Sequence, residues 1–258
     1  MVMIVAFIGP AGSGKTSLVN AYGKWVKDNL WLRVAQVNLD PGAEILPYKP
    51  VFDIRSMFTI RDIMVKYNLG PNGAFIKAGE LIAENTSSIM EKNPFNNIDE
   101  WDIILIDTPG QMEAFIFRPS SNILFEKLRS LGSIIGVFII DATAITSLTD
   151  ALVLWFLGLL TQIKTGLPIV PVINKIDVAP NTEYAELLIK EPEKLVELAK
   201  QEETGEGLLS DLSHELTQIA LKTRQALRPV KVSAKDGTGL DELHYLLHEV
   251  LCACGDLT

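Results

Sequence analysis

The strongest constraint on this chain is GPAGSGKTS at residues 9–17, directly after the apolar run VMIVAFI at 2–8. The spacing G-x-x-x-x-G-K-[ST] is that of a loop that cradles phosphates between a strand and a helix. Gly9, Gly12 and Gly14 let the backbone wrap closely around an anion, because glycine has no Cβ and accepts positive φ. The following SLVNAYGKWVKDN has a helical pattern and directs its N-terminal N–H groups at the anion. Gly12, Ser13, Gly14 and Ser17 thus border the phosphates. Lys15 reaches the β- and γ-phosphates, and the Thr16 hydroxyl ligates Mg²⁺.

The rest of the chain repeats the alternation of strand and helix. Apolar, β-rich runs at 2–8, 33–39, 102–107, 134–141, 169–173 and 230–233 read as strands. Several are apolar nearly throughout, as strands covered on both faces are. This predicts an α/β fold, a mainly parallel central sheet flanked by helices, in one domain over residues 1–258. A long insertion at about 40–100 carries helical patterns near 59–67 and 78–92. A polar helical segment spans about 180–226, where KEPEKLVELAKQEETGEG reads as a solvated helix with a mobile tip.

Composition narrows the class. The 258 residues are 48% hydrophobic and 21% charged, enough to bury a large core. A net charge of −9 argues against direct nucleic-acid binding. The two cysteines, Cys252 and Cys254, give no disulfide framework and suit a reducing, cytoplasmic compartment. The apolar start lacks a basic n-region and runs into the phosphate loop, so it reads as a strand and not a signal peptide. ALVLWFLGLL at 151–160 is too short to span a bilayer and reads as a buried helix, with a dimer surface as the minor alternative. No membrane association is expected.

IILIDTPGQ places Asp107 at a strand end, where it can hold Mg²⁺ through water. Gly110 can offer its N–H to a γ-phosphate, and Gln111 can orient the attacking water. Asp40, in NLDPGAE, also ends a strand and can reach the Mg²⁺ shell or that water. VINKID holds Asn174, Lys175 and Asp177 as N-K-x-D. One carboxylate at Asp177 can accept both adjacent guanine donors, which adenine lacks. The Lys175 stem can cover the base plane, and Asn174 can tie its loop to the phosphate loop. SAK at Ser233, Ala234 and Lys235 can bring a backbone N–H to guanine O6.

YNLGPNGAF at 67–75 reads locally as a turn, with Asn72 tolerating the left-handed region and Gly73 supplying φ > 0. With GPAGSGKTS, NLDPGAE, DTPGQ, NKID and SAK, however, its Gly70-Pro71-Asn72 makes the whole chain resemble the GPN-loop GTPases. The resemblance implies homodimers, or related heterodimers, with nucleotides near the interface and Mg²⁺ as cofactor. It implies that the loop reaches toward the γ-phosphate held by the partner and that Asn72 helps stabilise transition-state charge there in trans, where other GTPases use an arginine finger. Related dimerising enzymes often carry an extra lysine early in the phosphate loop, where this chain has Pro10 and Ala11. It also implies a switch with a protein client, with RNA polymerase assembly the candidate because some eukaryotic relatives are linked to it. Two alternatives stay open: a slow GTP-binding regulatory module, and an ATP-using phosphate-loop enzyme. His244 and His248, at i, i+4 in DELHYLLHEVL, read as a solvated helix face, not a metal site.

Overall fold

The structure, a computed structural model, describes residues 2–179, 183–190 and 228–255, with Lys194, Leu198, Glu215, Ile219 and Lys222. The charged KEPEKLVELAKQEETGEG stretch falls almost entirely outside these residues.

Among the described residues, seven strands form one sheet: β1 (Met3–Ile8), β2 (Val34–Asn38), β3 (Phe52–Asp53), β4 (Ile103–Asp107), β5 (Ser133–Asp141), β6 (Ile169–Asn174) and β7 (Val230–Lys231). Their order is β3-β2-β4-β1-β5-β6-β7, and every neighbouring pair is parallel. The predicted α/β class with a parallel sheet is met. Two-residue β3 carries too short a pattern to show in the sequence, and the run at 230–233 pairs over only two residues.

β1 shows why such strands are apolar throughout. Ile4, Ala6 and Ile8 enter the core on one face of the sheet, while Met3, Val5 and Phe7 enter the core on the other. The period of two sends neighbours to opposite faces, and both faces are covered. On the second face lie α1 (Lys15–Leu30), through Leu18, Val19 and Tyr22, and a C-terminal helix, through Leu240, Leu243 and Leu247.

The insertion holds α2 (Ile60–Tyr67), α3 (Pro71–Glu84) and α4 (Thr86–Met90). Thr59 and Asp62 cap α2 reciprocally, and Asn68 ends it at φ 53. Here the turn reading of Pro71-Asn72-Gly73 is corrected. Gly70 is the N-cap, and Pro71 begins a helix rather than reversing the chain. Proline suits that first position because its φ is preset and its missing N–H would have had no partner within the helix. The left-handed residue of the connection is Asn68. The helix expected at 78–92 is two, and the first starts seven residues early. Its glycines look like breakers in the sequence, but Gly79 serves close packing: a Cβ there would lie 3.2 Å from Ala114 O and 3.3 Å from Ser120 Oγ.

Next come α5 (Met112–Phe115), α6 (Pro119–Arg129), α7 (Leu148–Thr165), α8 (Glu183–Lys190) and α9 (Leu240–Gly255). With Ser147 capping its start and Gly166 its end, α7 is 18 residues long, more than 151–160 suggested. By length and composition alone it could cross a bilayer. Instead Leu148, Ala151, Leu152 and Trp155 pack into the core beneath β5 and β6, while Val153, Leu160 and Ile163 are exposed. Only one face of the helix is buried. On α9 the solvated reading fails for His244, which is partly buried with Nδ1 2.7 Å from Tyr22 Oη. Burial, together with His248, pushes its pKa down to about 4. No metal cluster of His, Cys, Asp or Glu occurs among the described residues.

Candidate functional site: a nucleotide cleft at the carboxyl ends of the strands

A parallel sheet gathers the carboxyl ends of its strands on one edge, where open α/β folds place their ligands. Register puts Asp107 beside Phe7 and Asn38, and Asp141 beside Asn174. The loop after β1 joins the central strand to α1, with Gly12 at φ 78 and Gly14 at φ 94. Gly14 is the N-cap of α1. A Cβ on it would lie 2.5 Å from Asn174 Nδ2, so this position needs glycine for conformation and for space.

Lys15 is buried at the start of α1, and its Nζ donates to Gly9 O and Pro10 O at 2.8 Å and to Gly110 O at 3.4 Å. Burial lowers its pKa against the opposing charges of Asp107, Asp40 and Glu113. One ammonium thus sits among three carboxylates.

Asp107 is fully buried, and its pKa is raised to about 6, first by burial and also by Asp40. The Thr16 and Tyr48 hydroxyls and Lys15 oppose the rise. Tyr48 Oη donates to Asp107 Oδ2 at 3.0 Å. Asp107 Oδ1 and Ser13 Oγ are buried without a hydrogen-bond partner among the described residues. The unpaired Asp107 oxygen, on a carboxylate that the Thr16 hydroxyl also faces, fits a small, hard cation, which binds oxygen donors and keeps several waters.

Asp40 accepts from the backbone N–H of Gly42 at 2.8 Å and of Gly110 at 2.9 Å. Burial raises its pKa; the two amides and Lys15 oppose this. The Gly110 N–H, expected from sequence to face a γ-phosphate, is therefore donated to Asp40 in this structure. Asn38 and Arg55 fix the surrounding loop, Arg55 donating to Asp53 and to Ala43 O.

The third wall joins three motifs. Asn174 Nδ2 donates to Ser13 O at 3.0 Å, and its Oδ1 accepts from the Ala234 N–H at 3.2 Å. Lys175, at φ 66, places Nζ 2.7 Å from Gly12 O and 2.6 Å from Asp141 Oδ2. Asp177 Oδ1 accepts from Ser233 Oγ at 2.9 Å, and Lys235 Nζ lies 3.9 Å from Oδ2. A cavity of about 440 Å³ opens between Gly14, Ser17, Lys175, Asp177, Ala234 and Lys235. That is room for a purine held between a lysine stem and a carboxylate. The Ala234 amide is engaged with Asn174 rather than free. Gln111 and Asn72 lie elsewhere, on a neighbouring cavity of about 380 Å³ shared with Glu113 and Arg118.

Comparison with known proteins matches this arrangement to a family. Residues 7–253 match the profile of a family described as "Conserved hypothetical ATP binding protein". A GPN-loop GTPase of Pyrococcus abyssi is 33% identical over 99% of this chain and 100% of its own. The chain belongs to the GPN-loop GTPases. GPN-loop GTPase 1 of Dictyostelium discoideum is 29% identical over 92% of this chain and 59% of its own length. The crystal structure of the P. abyssi GTPase in its apo form superposes with a TM-score of 0.85, at 30% identity and 98% coverage of both chains. The protein is a GTP hydrolase with a phosphate-loop fold.

Several residues of this GPN-loop GTPase escaped the sequence reading. Asp141 carried the same sign as Asp107, an apolar strand ending in Asp (FIID), and could have been found. Tyr48, Arg118 and Glu113 had no such signal. Only the fold brings a tyrosine 59 positions away to Asp107.

Proposed function

We propose that this GTPase works as a homodimer that converts GTP and water to GDP and phosphate, with Gly70-Pro71-Asn72 of each subunit acting at the γ-phosphate of the other. The observation that carries the chemistry is the buried Lys15 Nζ among Asp107, Asp40 and the Gly110 carbonyl. Lys15 exchanges its carbonyl partners for the β- and γ-phosphates, joined by the amides of Gly12, Ser13 and Gly14. Thr16 and Asp107, with Asp40 beside them, would hold Mg²⁺, which when bound would supply charge neutralisation to the phosphates. Gln111 positions the attacking water. Asp177 reads guanine, Lys175 covers it, and Asn174, Ser233, Ala234 and Lys235 shape the wall behind it.

One observation supports action in trans. Asn72 is exposed in the first turn of α3, and a Cβ at Gly70 would have nothing within 4 Å, so this end of the helix is open to a second chain. Asn72 also borders the cavity that holds Gln111 of its own chain, so action in cis is the alternative that the test must separate. A neutral amide lacks the charge of an arginine finger. Its loss is expected to cost roughly 10²-fold in turnover, the size of one preplaced neutral donor.

Lys15→Ala is expected to abolish hydrolysis; undiminished turnover would refute the site. Mixing Lys15→Ala subunits with Asn72→Ala subunits separates trans from cis. The Asn72→Ala subunit keeps an intact phosphate loop and receives Asn72 from its partner, so activity returns on mixing if the loop acts in trans. No recovery on mixing, with mixed dimers verified, refutes the trans role. The cycle suits a nucleotide-dependent switch in the cytoplasm for a protein client, RNA polymerase assembly being the family candidate. Co-purification of polymerase subunits dependent on GTP tests that role.

A further inference from the structure

We propose that Asp141 is a positioning residue of the base site, fixing Lys175 so that its stem forms the wall of the guanine cavity. This deepens the assignment of Lys175 and Asp177 to the base and rests on it. Asp141 ends β5 and sits in register with Asn174 at the end of β6. Its two oxygens are divided between two tasks. Oδ1 accepts from the Thr143 N–H at 2.9 Å and the Thr143 hydroxyl at 2.7 Å, which orients the carboxylate. Oδ2 takes the Lys175 ammonium at 2.6 Å.

The same ammonium donates to Gly12 O at 2.7 Å. Lys175 is thus held at its far end from two sides, by a strand terminus and by the phosphate loop. Its backbone, in the left-handed region, is held at the near end by β6. A lysine stem has several free rotors, and ordering them costs entropy. Pinning the tip before the base arrives leaves less to lose on binding. Lys175 and Asp141 are about one third and one fifth exposed, so the contact is partly shielded from water. Burial alone would raise the Asp141 carboxyl, but Lys175 and Thr143 bring it below the usual carboxylate range. It is therefore charged at neutral pH.

Asp141→Asn keeps an acceptor for Thr143 and turns a donor toward Lys175. The measurement is titration calorimetry of GDP, with pyrophosphate as a ligand that has no base. Binding of GDP is expected to weaken on the order of tenfold, the range of coupling between contacting charged groups, while pyrophosphate affinity holds. In Lys175→Ala protein the same change is expected to add little further loss. Thr143→Val, which keeps the charge and removes only the orienting hydroxyl, is expected to weaken GDP in the same direction by less. GDP binding unchanged in Asp141→Asn overturns the inference. So does an equal loss for pyrophosphate, or a full additive loss on top of Lys175→Ala. If the unaltered chain binds pyrophosphate but not GDP, the base site itself is wrong, and the inference falls with it. Should Asp141→Asn fail to fold, unchanged GDP binding in Thr143→Val overturns the inference.

Discussion

Replacing Asp107 with asparagine isolates one titration at the centre of the site. The carboxyl is fully buried at the end of β4, and its pKa rises from 3.8 to about 6. Burial is the main cause, and repulsion from Asp40 adds to it. A group whose folded pKa exceeds its unfolded value stabilises the fold below the unfolded pKa. That contribution is lost as pH rises through the folded pKa. For the protein without nucleotide or Mg²⁺ the window is therefore between 3.8 and about 6. A rise of about two pKa units, at about 1.4 kcal/mol per unit, makes the loss roughly 3 kcal/mol. The asparagine amide does not titrate, so the variant lacks this slope. Urea unfolding of both proteins is measured from pH 4 to 7.5 in chelator-treated buffer. The stability of the unaltered protein minus that of Asp107→Asn is expected to fall by roughly 3 kcal/mol across the window. Taking the difference removes the depressed carboxylates Asp62, Asp102 and Asp150, whose slopes have the opposite sign and are common to both proteins. A difference that stays flat, or that grows with pH, refutes the reasoning.

Three further outcomes are expected. Gly14→Ala places a Cβ 2.5 Å from Asn174 Nδ2 at φ 94, so it should cost at least about 1–2 kcal/mol of backbone strain and weaken GTP binding; unaltered affinity and melting contradict this. Tyr48→Phe removes the phenol that donates to Asp107 Oδ2, and should cost about 1–3 kcal/mol above pH 6, where that oxygen is charged, and less at pH 4; calorimetry at the two pH values decides. Trp155→Ala should cost about 3–5 kcal/mol while Ile163→Ser, on the exposed face of the same helix, stays within about 0.5 kcal/mol; equal losses in urea unfolding would mean that the buried face of α7 is misassigned.

What the sequence made legible follows from how local each signal is. The phosphate loop, N-K-x-D and the strand-ending Asp107 are runs in which neighbours in sequence are neighbours in space. The strands of a parallel sheet are apolar on both faces, so β1, β4 and β6 stand out as short unbroken runs. The helix at Pro71 was misread because Pro, Asn and Gly are turn formers by propensity, whereas the first turn of a helix tolerates proline and α3 needs Gly79 to approach Ala114. Packing overrode propensity there. Tyr48, Asp53 and Arg55 were invisible for another reason: they act across the fold, on Asp107, Asn38 and the loop carbonyls.

Gly110 shows the limit of a motif most clearly. The pattern D-x-x-G locates an amide but not its acceptor. In this structure the acceptor is Asp40 Oδ2, at 2.9 Å. A carboxylate oxygen and a γ-phosphate oxygen are both anionic acceptors, and one N–H cannot serve both well. Repulsion between them is strong where water is scarce, and Asp40 is buried enough for its pKa to rise. Lys15 and Arg55 are the cations that act on Asp40; Lys15 already faces Asp107 and Glu113, and Arg55 is committed to Asp53 and the Ala43 carbonyl. A γ-phosphate that claims the Gly110 amide must therefore move Asp40, and with it the loop pinned by Arg55; a diphosphate makes no such demand. Asp40→Asn keeps an acceptor for the amide but removes its charge. In chelator-treated buffer, where the metal-holding role of Asp40 is silent, it is expected to tighten GTP relative to GDP, and an unchanged ratio of the two affinities in titration calorimetry would show that the two anions never compete.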